Sequence, residues 1–364
     1  MPPSNDYAAL SLLPLGWRRD VGEALRAGRH PDEVLHSFLA GRPHDPDLTV
    51  TAVRSRADEA IARAGRTGIE MVAWSDAAYP PAIAAIADPP PVLWLRGCLS
   101  ALEPPSVAVV GSRAGSPYAL AVAERLAADL TARGLVVVSG LARGVDSAAH
   151  RGALGAAGTT IAVLGSGVDV VYPSEHRALA DEIARTGAVV SELVPGTRPL
   201  PLFFPMRNRI ISGLSRAVVV IEAGQKSGSL ITARCALEQG RDVLAVPGNV
   251  LSGRNRGGHA LLRDGAKIAE TADDILEEMG FLPVPGRPGG TPAPQEGPGP
   301  LHRAVAADPV LACLAPGESC DLDAIAERSG LTVARLLPRL FELELQGLVR
   351  RAGGGRFIRF DSPC

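Results

Sequence analysis

The sequence predicts an α/β protein built around a doubly wound parallel sheet. From Val107 onward, short apolar runs of strand length alternate with longer stretches of helical periodicity, which is the pattern of parallel β-α-β units. Glycine and serine follow most of these runs, where a parallel strand turns toward its helix. At 364 residues the chain is also longer than one typical core, and a proline- and glycine-rich stretch at 281–300 interrupts it. These observations predict a central sheet domain with a smaller domain on either side.

Residues 1–66 are predicted to form a small helical N-terminal domain. Their apolar residues recur at helical spacing between breaks at Gly28–Pro31 and Gly41–Pro43. The order Leu13 to Trp17, followed by Leu25 to Gly28, resembles sterile-alpha-motif and helix-hairpin-helix modules. Those modules use a tight glycine hairpin, whereas Trp17 is followed by two arginines here. The sequence leaves open whether this domain contacts DNA.

Residues 67–280 are predicted to form the central domain. Ile69–Trp74 and Val92–Arg96 have the composition of strands that lead into it. Its own predicted strands are Val107–Val110, Val136–Val138, Thr160–Leu164, Ala188–Val190, Ala217–Ile221 and Val243–Val246, and its predicted helices lie near 116–133, 145–157, 174–186, 205–214 and 228–239.

Residues 281–300 are predicted to be an extended linker, because proline and glycine dominate them and apolar periodicity is lost. In residues 301–364, helical patterns at Val310–Leu314, Leu322–Ser329 and Val333–Leu345 precede a hairpin pattern at 348–359, which is the outline of a winged helix. The third helix carries Glu342 and Glu344 beside its arginines, whereas the hairpin is basic. Binding of DNA and binding of a protein partner therefore both stay open for this domain.

Composition limits the function. The net charge of −2 and the pI near 6.4 give no global attraction to nucleic acid, so such binding requires a local basic patch. Five scattered cysteines without a C-x-x-C pair argue against a disulfide framework and a zinc site. No apolar run reaches membrane-spanning length, and the N-terminus lacks the form of a signal peptide. We therefore expect a cytoplasmic protein without a bound metal.

Four loops rich in glycine and serine follow predicted strands. They are Gly111–Ser116, Ser139–His150, Gly165–Asp169 and Glu222–Leu230. In an open parallel sheet such loops meet beyond the carboxyl ends of the strands, where ligands bind. Their backbone N–H groups, hydroxyls and helix N-termini converge with Arg113, Arg143 and Lys226, which is a constellation that binds phosphates. The structural alternative is that these glycines serve only chain reversal.

A dense stretch from Phe203 to Ser215 combines aromatic, basic and apolar residues. Pro205 suits the first turn of a helix, and the apolar residues after it share one face. Arg207 and Arg209 then lie near the helix start, where a phosphate backbone would suit their guanidinium groups. The alternative is that they pair with Asp or Glu inside the fold.

Familiar enzyme motifs do not occur in the chain. The loop after Val110 is not G-x-G-x-x-G, because Arg113 replaces the second glycine, and there is no phosphate-loop motif for ATP. Neither a G-x-S-x-G elbow nor an H-E-x-x-H helix is present. Asp146 and Ser147 stand where a helix N-cap is expected, and we predict that they cap that helix.

The central motifs resemble those of the DNA-processing protein A family, also called DNA protecting protein or Smf, which has an extended Rossmann-like fold. The matching segments span about residues 69–279 and occur in the family's order. They are Val109–Arg113, Ser139–Asp146, Gly165–Asp169 with Tyr172-Pro173, Ser191-Glu192, Phe204–Ser215, Ser227–Ala233 and Val246–Gly248. One departure is Ser174, because many relatives have lysine directly after Tyr-Pro.

The resemblance implies a non-catalytic protein without a cofactor that binds incoming single-stranded DNA in natural transformation. It also implies loading of the recombinase RecA onto that DNA, and a homodimer formed by the Rossmann-like domain. Arg113 would be the principal DNA-binding arginine, and Phe204 a stacking platform for bases. The residues predicted to bind DNA are Gly111, Ser112, Arg113, Ser139, Gly140, Arg143, Gly167, Phe204, Arg207, Asn208, Arg209, Lys226, Ser227, Gly228 and Ser229.

Two alternatives remain at this point. Related Rossmann-like enzymes cleave nucleoside monophosphates at the N-glycosidic bond, although Glu222–Ala233 does not reproduce their phosphate loop. The other alternative is a scaffold whose pocket holds a small nucleotide regulator. Turnover of nucleotides would indicate the enzyme, and mononucleotide binding without single-strand binding would indicate the scaffold.

Overall fold

The structure is a computed structural model that describes residues 4–40, 45–281, 308–314, 319–345, 348–352 and 355–359. The chain divides into two compact units. The larger comprises residues 1–115 and 122–281, and the smaller comprises residues 116–121 and 282–364. Apart from Phe281, the predicted linker at 281–300 lies outside the described residues.

A nine-stranded sheet forms the centre of the larger unit. Its strands are β1 Glu70–Ala73, β2 Val92–Gly97, β3 Ser106–Val110, β4 Val136–Ser139, β5 Thr160–Val163, β6 Ala188–Ser191, β7 Ala217–Val220, β8 Asp242–Ala245 and β9 Lys267–Ile268. Valine and alanine fill the central strands, which are buried on both faces as expected of a parallel sheet.

The strand order in the sheet is β1-β2-β6-β5-β4-β3-β7-β8-β9. β1 pairs with β2, and β2 with β6, in antiparallel fashion, whereas every other pairing is parallel. Between β3 and β7 the order reverses, since the chain first builds outward through β4, β5 and β6 and then returns to the other side of β3. The connections diverge at that point and leave a crevice above the strand ends.

Helices cover both faces of the sheet and precede it. They are α1 Ser4–Ser11, α2 Arg18–Arg26, α3 Pro31–Leu39, α4 Val50–Thr67, α5 Pro81–Ala84, α6 Pro117–Ala132, α7 Val145–Gly155, α8 Arg177–Thr186, α9 Phe203–Leu214, α10 Ser229–Glu238, α11 Arg256–Arg263 and α12 Ala272–Glu278. The first four share a hydrophobic core with one face of the sheet, and this core includes Leu35, Trp94 and Val189. The boundary at residue 66 stays a prediction.

The smaller unit contains three described helices and a three-stranded sheet. The helices are α13 Pro309–Cys313, α14 Leu322–Ser329 and α15 Val333–Leu345, and the strands are β10 Ser319–Asp321, β11 Val349–Ala352 and β12 Arg356–Arg359 in the order β10-β12-β11. Leu336, Leu340 and Phe357 pack in their core. This is the winged-helix outline that the sequence predicted.

The predicted doubly wound sheet and the helical N-terminal region are also confirmed. The short strand β9 and the helices α11 and α12 had no counterpart in the sequence prediction. Within the described residues, no helix has both the length and the apolar character needed to cross a bilayer.

Candidate nucleic-acid interface

A cleft of about 740 Å³ opens where the strand order reverses. It lies at the carboxyl ends of β3 and β7, whose last residues, Val110 and Val220, are register partners. The predicted site residues that line it are Gly111, Ser112, Arg113, Phe204, Arg207, Asn208, Lys226, Ser227, Gly228 and Ser229. The topology therefore brings together the loops after two strands and the first turns of α9 and α10.

Backbone contacts hold the loop after β3 on both sides. The Ser112 N–H donates to the Glu222 carbonyl at 2.7 Å, and the Ser112 carbonyl accepts from Val145 N–H at 3.2 Å. Gly144, with φ of 78°, passes so close that any Cβ there would overlap the Ser112 carbonyl oxygen. The loop thus presents Arg113 from a fixed backbone.

Arg113 has an exposed side chain at the mouth of the cleft. Its guanidinium carbon lies 5.4 Å from the centre of the Phe204 ring, a cation–π distance. The ring of Tyr172 also packs against Phe204, with the ring centroids 5.4 Å apart and the ring planes inclined by 49°. A cation and two aromatic rings, with Tyr172 49% exposed, therefore stand together at the cleft mouth.

The N-terminus of the ten-residue helix α10 forms the opposite wall. The Ser227 and Ser229 hydroxyls lie 2.8 Å apart, and the exposed Lys226 precedes them. Asn208 ties α9 to this turn, because its side-chain amide donates to the Gly228 carbonyl at 3.2 Å. Hydroxyls, an ammonium group and the positive end of a helix dipole suit an anionic ligand.

Arg207 forms the floor of the cleft and is only 4% exposed. Its Nη1 donates to the Val163 carbonyl at 2.9 Å, and Gly140 is required beneath it because any Cβ there would overlap the guanidinium group. Burial lowers the pKa of Arg207 to about 10, with Arg113 adding to the effect and Asp146 opposing it. The group stays protonated at neutral pH and supplies positive charge from below.

Asp146 also lines the cleft, but it does not cap α7 as the sequence suggested. The N-cap position is Gly144, and the Asp146 carboxylate accepts from Gly140 N–H at 3.1 Å and Ala142 N–H at 3.3 Å. It therefore orders the loop before the helix. Burial raises the pKa of this carboxyl, while Arg207 opposes the rise.

Arg209 lies outside the cleft, contrary to its place among the predicted DNA-binding residues. Its Nη2 donates to Glu192 Oε2 at 2.6 Å, and its Nε lies 2.8 Å from Asp88 Oδ2. Arg18 from α2 joins the same Glu192 oxygen at 2.9 Å. On an α-helix, residues two apart point about 200° apart, so Arg207 and Arg209 face opposite sides of α9. The alternative of pairing inside the fold is what the structure shows for Arg209.

Four other predicted residues do not line the cleft. The Ser139 hydroxyl donates to the Val109 carbonyl at 2.7 Å, and Gly140 lies behind Arg207. Arg143 is exposed but binds Glu175 through two hydrogen bonds of 2.7 and 2.6 Å. Gly167 joins two loops through its N–H, which donates to the Thr197 carbonyl at 2.9 Å. These residues shape or flank the cleft.

The predicted site omitted several residues that line or support the cleft, among them Tyr172 and Asn255. Tyr172 was noted only as part of a motif, and its ring reaches the cleft from the loop after β5. Asn255 is 2% exposed, accepts from Ala223 N–H at 2.9 Å and donates to the Val246 carbonyl at 3.0 Å, so it ties together the ends of β7 and β8. Nothing in the spacing of the sequence distinguishes such an asparagine from an ordinary loop residue.

Comparison with known proteins assigns the family. The family model described as DNA recombination-mediator protein A matches residues 70–280, which include the whole cleft. This chain belongs to that family. A second model, the DprA winged helix domain, matches residues 291–355. The family resemblance of the sequence motifs is thereby confirmed.

Individual relatives agree with this assignment. The chain is 41% identical over 292 residues to Protein Smf of Escherichia coli, covering 79% of this chain and 76% of that protein. It is 48% identical over 206 residues to DNA processing protein DprA of Streptococcus pneumoniae, covering 57% of this chain and 73% of that protein.

Two solved structures of the family resemble this one. The X-ray structure of DprA from Streptococcus pneumoniae matches with a TM-score of 0.66 and 38% identity, covering 76% of this chain and 99% of that one. A structure that concerns the single-stranded DNA binding mode of DNA processing protein A from Helicobacter pylori matches with a TM-score of 0.53 and 30% identity, covering 58% of this chain and 95% of that one.

Proposed function

We propose that this protein binds single-stranded DNA in the cleft between the ends of β3 and β7. The observation that carries the proposal is the group at the cleft mouth, where Arg113 lies over Phe204 and Tyr172 packs beside it. Single-strand binders combine cations for phosphates with aromatic rings for bases. Lys226 and the N-terminus of α10 on the opposite wall add further positive potential. A family member from Helicobacter pylori whose structure concerns single-stranded DNA binding supports the proposal.

Family membership supports a proposal for the cellular role. We propose that the protein shields incoming single-stranded DNA in the cytoplasm during natural transformation and helps to load RecA onto it. It acts as a homodimer through its Rossmann-like domain, and it binds DNA without catalysing a reaction or using a cofactor.

The test is a titration of labelled single-stranded DNA with wild-type protein, Arg113→Ala and Lys226→Ala. Hydrogen bonds to charged groups contribute about 1.5–3 kcal/mol, so Arg113→Ala is expected to weaken binding by about 10- to 150-fold. The same change at Arg125, which is 73% exposed on α6, is the matched control and is expected to have no effect. Arg207→Ala is less suitable, because Arg207 is buried and its loss perturbs the fold.

Salt and sequence dependence add a second criterion. If Arg113 and Lys226 contact phosphates, the slope of log K against log salt becomes less negative by about 0.7 for each one removed. Wild-type affinity is expected to be nearly indifferent to base sequence, because every base has a stacking face. A flat salt response, or a preference for duplex DNA, would argue against the cleft as the binding site.

One observation keeps the glycosidase alternative worth testing, namely the buried Asp146 carboxyl in the cleft, whose pKa is raised by burial. Wild-type protein and Asp146→Asn are assayed for base release from nucleoside monophosphates beside the DNA titration. Turnover by the wild type, together with unchanged DNA affinity in Arg113→Ala, would replace the binding proposal by the enzymatic one. Tight mononucleotide binding without single-strand binding would indicate the nucleotide-holding scaffold.

A further inference from the structure

A second groove lies on the larger unit, between helix α4 and the loop after β6. It encloses about 480 Å³, and three arginines of α4, Arg56, Arg63 and Arg66, line it opposite Val194 and Pro195. The side chains of Arg56 and Arg66 are exposed, and no ion pair joins either one to another residue that the structure describes. Guanidinium groups in this state are free to bind an anionic partner.

Two acidic residues, Asp169 and Glu59, complete the charge balance of the groove. Arg63 is held in place by Asp169, with its Nε at 2.8 Å and its Nη2 at 2.7 Å from Asp169 Oδ2. Glu59, one turn from Arg56 and Arg63, is the acidic side chain of the lining. With Arg63 and Asp169 cancelling, the groove retains a net positive charge from Arg56 and Arg66 against Glu59.

A ridge of two loops separates this groove from the cleft. The loop after β5 contacts the groove through Asp169 and reaches the cleft at Tyr172. The loop after β6 lines the groove at Pro195 and the cleft at Pro201. The two loops are joined, because Gly167 N–H donates to the Thr197 carbonyl at 2.9 Å and Gly196 N–H to Asp169 Oδ1 at 2.7 Å. Cleft and groove are therefore neighbours across one ordered ridge.

The surface of the ridge suits a nucleic-acid strand. Tyr172 is 49% exposed on the loop after β5, and Arg198 is exposed on the loop after β6, where it stands in the chain between Pro195 of the groove and Pro201 of the cleft. An aromatic ring and a cation at this point continue the chemistry of Arg113 and Phe204 toward the α4 arginines. Because single strands carry a phosphate at every nucleotide, a path of spaced cations matches them better than it matches a compact anion.

We infer that a single strand bound in the cleft continues over Tyr172 and Arg198 into the groove, where Arg56 and Arg66 contact its phosphates. The inference rests on the proposed function and extends it to the N-terminal helical region. Glu59 repels the strand in this arrangement and limits its affinity. The cleft takes a short oligonucleotide by itself, and the groove adds affinity only for a longer one.

The test compares an oligonucleotide of about 4 nucleotides with one of about 20, lengths that bracket the usual size of one single-strand site. At 0.1 M salt each phosphate contact is worth about fivefold in affinity, from a slope of about 0.7 per contact. The double variant Arg56→Ala/Arg66→Ala is therefore expected to bind the long oligonucleotide about 25-fold more weakly and the short one as the wild type does. Arg19→Ala with Arg125→Ala, which removes two exposed arginines elsewhere, is the control of equal charge.

A gain of affinity provides a second arm that misfolding does not imitate. Glu59→Gln removes the repelling carboxylate and is expected to strengthen binding of the long oligonucleotide several-fold without changing binding of the short one. Equal affinities for the long oligonucleotide in wild type, the double variant and Glu59→Gln would overturn the inference, as would equal losses for both lengths. Failure of the cleft proposal gives a different result, because Arg113→Ala would then bind both oligonucleotides as tightly as the wild type does.

Discussion

Arg209 is expected to stabilise the larger unit and to make no contribution to DNA binding, because its side chain is buried among acidic partners. Its side chain is 8% exposed, that of its partner Glu192 is 4% exposed, and Asp88 completes the pairing. Burial by itself would lower the pKa of Arg209, but Glu192 and Asp88 outweigh that effect and raise it above its ordinary value. Arg209→Met removes the cation and leaves Glu192 with Arg18 as its remaining partner in this cluster.

The expected cost follows from the burial of the pair. Removing one member of a buried ion pair costs about 3–5 kcal/mol where the other charge is left without compensation. Glu192 keeps Arg18 and the Asp88 side chain is 35% exposed, so we expect a cost at the lower end of that range, about 3 kcal/mol. Methionine fills most of the vacated volume, so little of this cost comes from a cavity. At about 2–4 °C per kcal/mol, the midpoint of thermal unfolding is expected to fall by about 6–12 °C.

Urea unfolding followed by tryptophan fluorescence measures this change in the larger unit, because Trp17, Trp74 and Trp94 all belong to it. The control is Arg19→Met, whose pair with Glu23 has side chains 73% and 57% exposed and is expected to contribute less than about 1 kcal/mol. Single-strand affinity of folded Arg209→Met is expected to equal that of the wild type. Wild-type stability combined with a tenfold loss of DNA affinity would refute the buried-pair assignment.

Three further predictions concern pH, backbone and domain organisation. Burial lowers the pKa of His150 to about 3, whereas its unfolded value is near 6.5, so the unfolded state takes up the proton first as the pH falls. Acidification from pH 7.5 to 5 is therefore expected to cost about 2 kcal/mol of stability. Urea titrations across this range should show a flatter pH dependence of stability in His150→Gln, and an unchanged pH dependence would contradict the assignment. Gly144→Ala is expected to lower both stability and DNA affinity, because the new Cβ would overlap the Ser112 carbonyl. The control is Gly134→Ala, at a similar φ of 82° but in open space. It is expected to cost only about 1–2 kcal/mol of backbone strain and to leave DNA affinity unchanged. A chain of residues 1–281 is expected to remain folded and to bind single strands as the full chain does, since the larger unit is compact by itself. Aggregation seen by light scattering, or loss of single-strand binding seen by titration, would contradict this prediction.

Local chemistry made much of the fold predictable. Runs such as Val107–Val110 and Ala217–Ile221 are strands because β-branched and small apolar residues suit a sheet buried on both faces, and the residues after them end each strand. Once the sheet is parallel, the carboxyl ends of its strands lie at one edge. The sequence alone therefore predicted that Arg113, Arg143 and Lys226 converge with the hydroxyls of the loops, and the cleft contains Arg113, Lys226, Ser227 and Ser229 but not Arg143.

The direction of individual side chains depended on tertiary packing. Arg207 and Arg209 are equivalent in the sequence, but the packing of α9 on the sheet turns Arg207 toward the cleft and Arg209 toward Glu192 and Asp88. The partners of Arg209 come from two distant segments, so no local pattern contains the information. Asn255 is positioned in the same way by two strand ends that only the folded sheet brings together. Local sequence patterns were enough to predict that the loops after β3 and β7 belong to the site. The rotation of α9 selects which of its arginines joins them, because burial of that helix's apolar face fixes where every other residue points.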